Sequence, residues 1–416
     1  MTDLSRRAVL AAGAVAAPLS AARGQDLDAL ARDEDHWARV AALYDPPPAG
    51  VIQLENGQFG AMARPVRAAY EAKLARVNRE TTLYTRGTAN ADVAKVRARV
   101  AGLLGVDVGE IAFTRGGTES MLTLIGGYNR LKPGDGVLYA DLDYDSMQVG
   151  MVSLARLRGA RVVKIDLPEP ATRQGLIDAY EAALSANPHV RLMLLTHLSH
   201  RTGLIPPVGE ITAMAKARGV DVLLDCGHAL GQTEFSLREL GVGFAGLNLH
   251  KWIGSPLGVG VVYIAKDRIP DIDVSILEAP GSTIDARVHT GTVSYAGVLA
   301  VADAIDFHES VGLAAKARRL RYLRDRWALA LRGQAGIEIL TPDEADLHAG
   351  ITSFRLSGQT SLAQNVAVRR ALFDRHRIFT VERAGPARGA CVRVTPSFVN
   401  NAADMDALVK ALRDLA

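Results

Sequence analysis

Lysine and cysteine are scarce in this sequence of 416 residues. Only nine of its 48 basic residues are lysines, so chemistry that needs a lysine amine has few candidates. Two cysteines, Cys226 and Cys391, are too few for a disulfide-dense scaffold, and the sequence does not show whether they pair. The net charge of +3 includes no run of basic residues that would follow a phosphate backbone. Nucleic acid is therefore not expected as a partner.

Long apolar runs are missing except at the N-terminus, which excludes a protein that crosses a membrane several times. Residues 1–22 combine Arg6 and Arg7, an alanine-rich run over 11–17, and small residues up to Ala22. This order is typical of a signal for the twin-arginine export machinery and predicts a periplasmic protein. The alternative is a membrane anchor or a disordered tail, but the run is shorter than the about 20 residues that span a bilayer. Because this route carries folded proteins, the signal suggests a cofactor inserted in the cytoplasm.

The mature chain alternates short β-branched runs with helical stretches. Strands are predicted over 111–114, 136–140, 161–165, 191–196, 220–224, 244–249 and 258–264, helices over 26–44 and 294–332, and a mixed section over 337–416. Nearly continuous apolar strands between helices predict an α/β fold whose mostly parallel sheet is covered on both faces. The expected divisions are the signal (1–22), an N-terminal segment (23–55), a large α/β domain (56–312) and a small C-terminal α+β domain (313–416).

Lys251 has surroundings unlike those of the other lysines. It lies in the segment Asn248-Leu249-His250-Lys251-Trp252, between two predicted strands and beside several glycines. Most lysines are solvated surface charges. Burial in apolar sequence, however, lowers an ammonium pKa from about 10.4 towards the range in which the amine is a nucleophile. Lys251 is therefore the candidate for a Schiff base with an aldehyde cofactor.

Three more elements follow other predicted strands. Asp225 ends an apolar strand, where an aspartate can pair with a protonated pyridine nitrogen or simply cap the next helix. Gly117 and Thr118 lie where a strand enters a helix, which is either an anion site or an ordinary helix start. Tyr144 could stack on a planar ring, although a tyrosine at the core edge is commoner. Together with Lys251, these residues predict a pocket for pyridoxal 5′-phosphate (PLP).

With these residues in place, the sequence resembles the class V aminotransferase family of fold-type I PLP-dependent enzymes. That family includes cysteine desulfurases, kynureninases and isopenicillin N epimerase-like proteins. The resemblance runs from about Asn56 to the C-terminus. It is most specific at His250-Lys251-Trp252-Ile253-Gly254-Ser255-Pro256-Leu257-Gly258, which is similar to the H-K-W-x-x-x-P-x-G segment of the epimerase-like branch. The resemblance implies the family's fold, a large domain with a mostly parallel sheet plus a small α+β domain, and PLP as cofactor.

The resemblance also implies a role for each matching residue. Lys251 matches the Schiff-base lysine, Asp225 the partner of the pyridine nitrogen, and Arg393 the arginine that binds a substrate carboxylate. The other implied contacts are His228 at the phenolic oxygen, Gly117, Thr118, Asn248 and His250 at the phosphate, Tyr144 on the ring, and Thr292 at the phosphate of the partner subunit. The last contact implies a homodimer with shared active sites. His200, expected at the substrate, stands where desulfurases carry an asparagine, and neither cysteine falls on their mobile loop. Both departures disfavour desulfurase activity.

These roles predict an enzyme that acts on the amino group of a small molecule or a peptide. Transaminase, epimerase and lyase outcomes share the first steps, and the sequence does not choose among them. Periplasmic members of the branch include a pyoverdine-maturing enzyme, so tailoring of a peptide or siderophore is one expectation. Two alternatives are a metal-dependent hydrolase using His197, His200, His228 and His250, and a non-catalytic periplasmic binding protein on the same fold.

Overall fold

The computed structural model describes residues 26–289 and 291–416, and the signal predicted at residues 1–22 lies outside them. Within these two ranges, no helix has the length and apolar character needed to cross a membrane. The helices are α1 (Leu27–Arg32), α2 (Glu34–Ala41), α3 (Arg64–Arg86), α4 (Ala89–Leu104), α5 (Gly117–Gly127), α6 (Asp145–Arg158), α7 (Arg173–Ala186), α8 (Val208–Ala217), α9 (Tyr295–Val311), α10 (Leu313–Leu331), α11 (Leu362–His376) and α12 (Ala402–Leu415). The strands are β1 (Ile52–Gln53), β2 (Ile111–Thr114), β3 (Gly136–Ala140), β4 (Arg161–Ile165), β5 (Val190–Thr196), β6 (Asp221–Cys226), β7 (Phe244–Asn248), β8 (Gly260–Ile264), β9 (Ile337–Ile339), β10 (Thr352–Leu356), β11 (Ile378–Phe379), β12 (Val381–Arg383) and β13 (Cys391–Val394).

The large domain is built on a seven-stranded sheet in the order β2-β8-β7-β6-β5-β3-β4. Only β8 runs against its neighbours, since it pairs antiparallel with both β2 and β7 while the remaining pairs are parallel. The carboxyl ends of β2, β3, β5, β6 and β7 therefore meet at one edge of the sheet. This is the edge at which open α/β sheets bind ligands.

Both faces of this sheet are buried, which explains why its strands are nearly continuous apolar runs. In β3, Val137 and Tyr139 face one hydrophobic core while Leu138 and Ala140 face the other. Only the edge strand β4 is exposed, and its charged residues Arg161 and Lys164 suit an unpaired edge. The alternation fixes the register of each strand and, with it, which residues emerge at the carboxyl edge.

The small domain has its own sheet, in the order β12-β13-β10-β9, and its own core. Trp327 of α10 packs edge-on against Phe354 of β10, with ring centroids 6.3 Å apart. The N-terminal segment joins this domain because β1 pairs in parallel with β11 and Leu54 lies in the same core. As a result, residues 55–58 pass from the small domain to the carboxyl edge of the large sheet.

The α/β fold class with a mostly parallel sheet and a small α+β domain is confirmed, and the predicted strand bounds differ from the observed ones by at most two residues. The two predicted helical regions do form helices, but each region is interrupted by one break. The helix expected over 26–44 is two helices, because Asp33 ends α1 and its carboxylate caps α2 by accepting from the His36 amide at 2.9 Å. The helix expected over 294–332 breaks at Gly312, whose φ of 91° is outside the helical region.

Candidate active site

A cavity of about 1150 Å³ opens at the carboxyl edge of the large sheet, where the small domain faces it. It brings together residues that are far apart in the chain, from Gly57 near the N-terminal segment to Arg393 in β13. Its lining includes the predicted residues Gly117, Thr118, Tyr144, His200, Asp225, His228, Asn248, His250, Lys251 and Arg393. Thr292 does not line the cavity of its own chain and is exposed, so its contact with a partner subunit stays a prediction.

Lys251 follows β7 and is held in a compact group with His228 and Trp252. The Lys251 Nζ lies 2.9 Å from His228 Nε2, and the Trp252 indole N–H points to His228 Nδ1 at 3.4 Å. Burial lowers the pKa of His228 well below its usual value, and burial lowers the pKa of Lys251 from 10.5 to about 8. The Trp252 indole donates to Nδ1, so the neutral histidine carries its proton on Nε2 and can donate it to the lysine amine when that amine is deprotonated. The lowered pKa of Lys251 makes this deprotonated, nucleophilic form, which an aldehyde requires, more abundant near neutral pH than it is for an exposed lysine.

Asp225, the next-to-last residue of β6, lies in the same cavity. Its Oδ1 accepts from the Gly227 amide at 2.8 Å, which fixes the carboxylate in the turn after the strand. Burial raises the pKa of Asp225, while the Gly227 amide and the nearby Lys251 act in the opposite direction. A carboxylate placed in this way matches the charge of a protonated pyridine nitrogen.

The start of α5 forms the second end of the cavity. The Gly117 amide donates to Asn248 Oδ1 at 2.7 Å, and Asn248 Nδ2 donates to the Gly227 carbonyl at 3.3 Å. A side chain at Gly117 would place its Cβ 3.0 Å from Asn248 Nδ2, so a residue other than glycine fits only if Asn248 moves. The N-cap residue Gly116 has no side chain to cap this helix, and Thr118 is exposed to the cavity. The helix start is a candidate anion site, and Asn248 connects it to the turn that carries Asp225.

His250 and Tyr144 line the cavity on either side of this group. His250 Nδ1 lies 3.0 Å from the Val259 carbonyl, to which it donates, and this bond holds the ring in place. Tyr144 precedes α6, and its ring meets that of His200 edge-to-face with centroids 4.9 Å apart. His200 is buried, and burial lowers the pKa of its imidazole well below the usual value. The histidine is therefore neutral beside the aromatic ring.

Arg393 reaches the cavity wall with its guanidinium already paired. Its Nη2 donates to both carboxylate oxygens of Glu55, at 2.6 and 2.7 Å, and its Nη1 donates to the His200 carbonyl at 2.6 Å. Glu55 and Arg383 were not predicted from the sequence, although Arg383 lines the cavity together with Arg393. An acidic residue two positions after the short strand β1 was the sequence signal for Glu55.

Lys316, near the start of α10, is a second buried lysine that the sequence analysis missed. Its Nζ donates to the carbonyl of Trp252, next to Lys251, and lies 3.3 Å from His308 Nδ1. The alternating polar and apolar sequence of an ordinary helix gave no signal for this burial. Lys316 holds the backbone of the segment that carries Lys251.

The histidines proposed as metal ligands do not form a site. Within residues 26–289 and 291–416, no group of three or more histidine, cysteine or acidic residues is arranged to hold a metal ion. His197 packs instead against Phe235, with ring centroids 4.6 Å apart, and its Nδ1 lies 3.7 Å from the Cys226 sulfur. It belongs to the core behind β6 and does not line the cavity.

The donor set of the cavity fits PLP. It combines an amine of lowered pKa for the aldehyde, a carboxylate for the pyridine nitrogen, and a helix start with a closely packed glycine for the phosphate. The residues that would hold the cofactor are thus Lys251, Asp225, and the Gly117–Thr118 start of α5. When bound, PLP supplies an electron sink for the substrate carbon next to the amino nitrogen.

Comparisons with known proteins agree with this reading of the site. The family described as Aminotransferase class-V matches residues 62–371. The chain is 28% identical to isopenicillin N epimerase of Streptomyces clavuligerus over 393 residues, covering 90% of this chain and 96% of that protein. It is 28% identical to a putative L-cysteine desulfhydrase 1 of Oryza sativa subsp. japonica over 292 residues, covering 65% of this chain and 60% of that protein.

The fold is similar to that of an apo cysteine desulfurase structure from Thermococcus onnurineus NA1, with a TM-score of 0.75 at 20% identity over 88% of this chain and 94% of the other. The family matches most of the chain, and Lys251, Asp225 and the start of α5 lie in one cavity as that family requires. The chain belongs to the class V aminotransferase family of PLP-dependent enzymes.

Proposed function

We propose that this enzyme acts on the α-amino group of an amino acid or of a peptide, and that Lys251 and His228 move a proton at the α-carbon. The observation that carries the proposal is the 2.9 Å contact between Lys251 Nζ and His228 Nε2 in the cavity. An amine with a pKa of about 8 can both take and return a proton near neutral pH. Epimerisation and transamination both require such a step.

The cavity of about 1150 Å³ has room for a substrate beside the cofactor. The similarity to isopenicillin N epimerase, which spans nearly the full length of both proteins, also favours chemistry at an amino acid α-carbon. Tailoring of a peptide or a siderophore is the form of this function that we favour.

The cysteines argue against desulfurase chemistry, which needs a reactive thiol at the substrate. The sequence contains only Cys226 and Cys391, and both are buried outside the cavity lining. Burial raises the pKa of Cys226 well above its usual value and raises the pKa of Cys391 to about 11. Neither thiol is available as a thiolate nucleophile.

The first test concerns the cofactor. Purified wild-type protein should be yellow, and borohydride should shift the absorption band and fix the reduced cofactor on the peptide that contains Lys251. Lys251→Ala should lose the band, whereas Lys410→Ala, which changes an exposed lysine of α12, should keep it. Colourless wild-type protein that contains stoichiometric zinc would overturn the assignment.

The second test concerns the α-carbon. In D₂O, wild-type holoenzyme should exchange the α-proton of an accepted amino acid or peptide, as followed by proton NMR. His228→Gln should slow the exchange but keep the absorption band, since the partner of the amine is changed and the amine itself is retained. Release of sulfide from cysteine, with no α-proton exchange in any other amino acid, would contradict the proposal.

We further propose a homodimer in which a second copy covers the cavity rim. Ile276, which lines the cavity, is 98% accessible, and two further large apolar side chains are also exposed, Leu277 at 67% and Leu257 at 61%. Thr292, which follows Ile276 in the chain, is also exposed. A residue that reaches the site of a partner subunit must be exposed in its own chain. Exposed apolar surface of this kind typically marks an interface, and two-fold dimers are the commonest assemblies.

Light scattering after size exclusion should give the mass of a dimer. Combining Ile276→Asp with Leu277→Asp should shift the protein towards monomer, whereas Leu329→Asp, at an exposed position on α10, should not. A wild-type monomer at micromolar concentration would refute the proposal.

We propose that the enzyme works in the periplasm after twin-arginine export. Support comes from the sequence of residues 1–22 alone, in which Arg6 and Arg7 precede the apolar run. Cell fractionation should find processed protein in the periplasm, and Arg6→Lys with Arg7→Lys should retain it in the cytoplasm. Processed protein that is unaffected by these changes would count against the proposal.

A further inference from the structure

Trp252 lies directly after Lys251 and is buried, with 5% of its surface exposed. Its backbone carbonyl accepts from Lys316 Nζ, and its indole N–H donates to His228 Nδ1 at 3.4 Å. The turn that carries His228 packs closely on it, because a Cβ at Gly231 would lie 2.9 Å from the Trp252 Cβ. Both the backbone and the ring of Trp252 are therefore held in place outside the cavity lining.

The backbone of His228 is held by a further side chain. Gln232 Nε2 donates to the His228 carbonyl at 2.9 Å, and the Gln232 side-chain oxygen accepts from the Gly350 amide, just before β10, at 3.3 Å. The histidine is 5% exposed, and its Nε2 lies 2.9 Å from Lys251 Nζ. The imidazole thus lies between two neighbours, with one ring nitrogen towards each.

The indole of Trp252 decides which ring nitrogen of His228 carries the proton. Burial lowers the pKa of His228 well below its usual value, so the ring is neutral, with one nitrogen that donates and one that accepts. An indole N–H can only donate, which makes Nδ1 the acceptor and leaves the proton on Nε2. The other tautomer would set two buried N–H groups against each other, 3.4 Å apart.

The proton on Nε2 in turn affects which form of Lys251 is favoured. A neutral amine has a lone pair that accepts from an N–H group, whereas an ammonium has three donors and no acceptor. At 2.9 Å a protonated Lys251 would face another donor, and it would gain an acceptor only if His228 gave up its bond from Trp252. The indole is therefore coupled to the lysine amine through the histidine.

Other charged and titratable groups surround this pair. The carboxylates favour the protonated form of Lys251, and the arginines favour its neutral form. The groups that face Lys251 or His228 from other elements are Asp225 of β6, Glu55 after β1, His200 after β5, Arg383 of β12 and Arg393 of β13. In the described part of the chain, none of them makes a hydrogen bond to the His228 ring or to the Lys251 amine. They act on the charge of the amine, whereas Trp252 acts on the tautomer of its neighbour.

We propose that Trp252 is a positioning residue of this site, whose indole fixes the proton of His228 on Nε2 and thereby favours the neutral amine of Lys251. The inference rests on the proposed function, in which this amine takes a proton from the α-carbon. It also assigns the two roles within the pair. Because Nδ1 accepts from the indole and Nε2 is protonated, His228 donates a hydrogen bond and has no free lone pair, so Lys251 is the base.

The pH dependence of acetylation tests this coupling in the cofactor-free full chain. Acetic anhydride reacts with the neutral amine, and mass spectrometry follows the peptide of Lys251 relative to that of the exposed Lys410. At pH 7, Lys251 of Trp252→Phe should be acetylated about five- to tenfold more slowly than that of the wild type, as expected for the loss of one hydrogen bond. At pH 10 the two rates should agree, because the amine is then mostly neutral in both proteins.

A control variant separates the tautomer from packing. Trp327→Phe removes a fully buried indole whose N–H has no hydrogen-bond partner in the described part of the chain, and its Lys251 should react like that of the wild type at both pH values. If Trp252→Phe slows acetylation equally at pH 7 and pH 10, access to the amine has changed and the proposal is overturned. Equal rates of Trp252→Phe and the wild type at pH 7 would overturn it as well.

Nitrogen-15 NMR of histidine-labelled protein gives a readout that does not depend on the folding of a Trp252 variant. In the wild type, the His228 signals, assigned by their loss in His228→Gln, should show a protonated Nε2 and an unprotonated Nδ1. In Trp252→Phe they should shift towards a mixture of both tautomers. A wild-type His228 that carries its proton on Nδ1 would refute the proposal.

The outcomes also separate this inference from the function on which it rests. If the holoenzyme exchanges α-protons while Trp252→Phe is acetylated like the wild type, the role of Trp252 fails and the proposed function stands. If acetylation and tautomer are as expected but no amino acid or peptide exchanges its α-proton, the proposed function fails and the role of Trp252 stands.

Discussion

Replacing Lys316 by methionine should change how the stability of this protein depends on pH. The Lys316 side chain is fully buried, and its hydrogen-bond partners in the described part of the chain are a carbonyl and a histidine, not a carboxylate. Its surroundings are the carbonyl of Trp252, the ring of Phe398 at 4.9 Å, and His308, whose pKa burial lowers well below the usual value. Burial lowers the pKa of Lys316 from 10.5 to about 7. Methionine fills a similar volume and does not titrate.

The sign follows from proton binding. Between pH 7 and pH 10.5 the unfolded chain holds a proton on this lysine and the folded chain does not, so the free energy of unfolding rises with pH in this window. Each pH unit contributes about 1.4 kcal/mol. The free energy of unfolding of the wild type should fall by about 3 kcal/mol relative to that of Lys316→Met when the pH is lowered from 9 to 6. Most of this change should occur above pH 7, because below that pH the lysine is protonated in both the folded and the unfolded chain.

At pH 9 the variant should be the more stable one by about 1 kcal/mol, because it escapes a deprotonation cost of about 2 kcal/mol and loses a hydrogen bond to the Trp252 carbonyl worth about 1 kcal/mol. At pH 6 the variant should be the more stable one by about 4 kcal/mol. Urea unfolding of the cofactor-free proteins at both pH values measures the difference, with Lys410→Met as the exposed control. A stability difference that does not change with pH would show that Lys316 is not buried as a neutral amine.

Three further outcomes are expected. Because the pKa of Lys251 is about 8, the rate constant for capture of PLP by the apoprotein should fall about tenfold per pH unit below pH 8 and level off above pH 8. Stopped-flow absorbance measures this rate constant, and a value that does not change between pH 6 and pH 8 would contradict the prediction. Gly117→Ala should raise the PLP dissociation constant about tenfold or more, since its Cβ would push Asn248 from the helix start; unchanged affinity would exclude this phosphate site. Gly203→Ala should destabilise the folded protein by about 2–4 kcal/mol, because φ is +79° there and the new Cβ would clash with the Ile351 carbonyl. A melting temperature equal to that of the wild type would refute the last prediction.

The strands of the large sheet could be predicted because burial on two faces makes each of them a short, continuous apolar run. That prediction also placed Asp225, Lys251 and the start of α5 at strand ends, since parallel strands share one carboxyl edge. The antiparallel direction of β8 could not be predicted in this way, because a buried strand reads the same in either direction. The helix breaks at Asp33 and Gly312 depend on local backbone geometry, which weakly affects a periodic pattern.

The polar wall of the cavity was only half predicted, and the reason is physical. Arg393 carried a recognisable sequence context, but its partner Glu55 is 338 positions away in the chain, and the pairing exists only because β1 joins the small domain. The sequence does not show the hydrogen-bond partners of a guanidinium, so it cannot show whether the donors of Arg393 are free to bind a ligand. The same holds for Lys316, whose burial depends on the Trp252 carbonyl 64 positions away.

Charge balance connects these residues to the choice of reaction. Lys251 and the two wall arginines would make the cavity strongly positive, and Asp225 and Glu55 return two of those charges. Glu55 pairs with Arg393, and Asp225 is the expected partner of the pyridine nitrogen of the cofactor. If the carboxylate of a substrate is bound by the small domain, the position of the reacting carbon relative to Lys251 depends on the position of that domain. The pairing of β1 with β11 contributes to this position. A substitution in β1 or β11 that shifts this packing should therefore change the rate of α-proton exchange more than it changes the affinity for the substrate, although it contacts neither Lys251 nor Arg393.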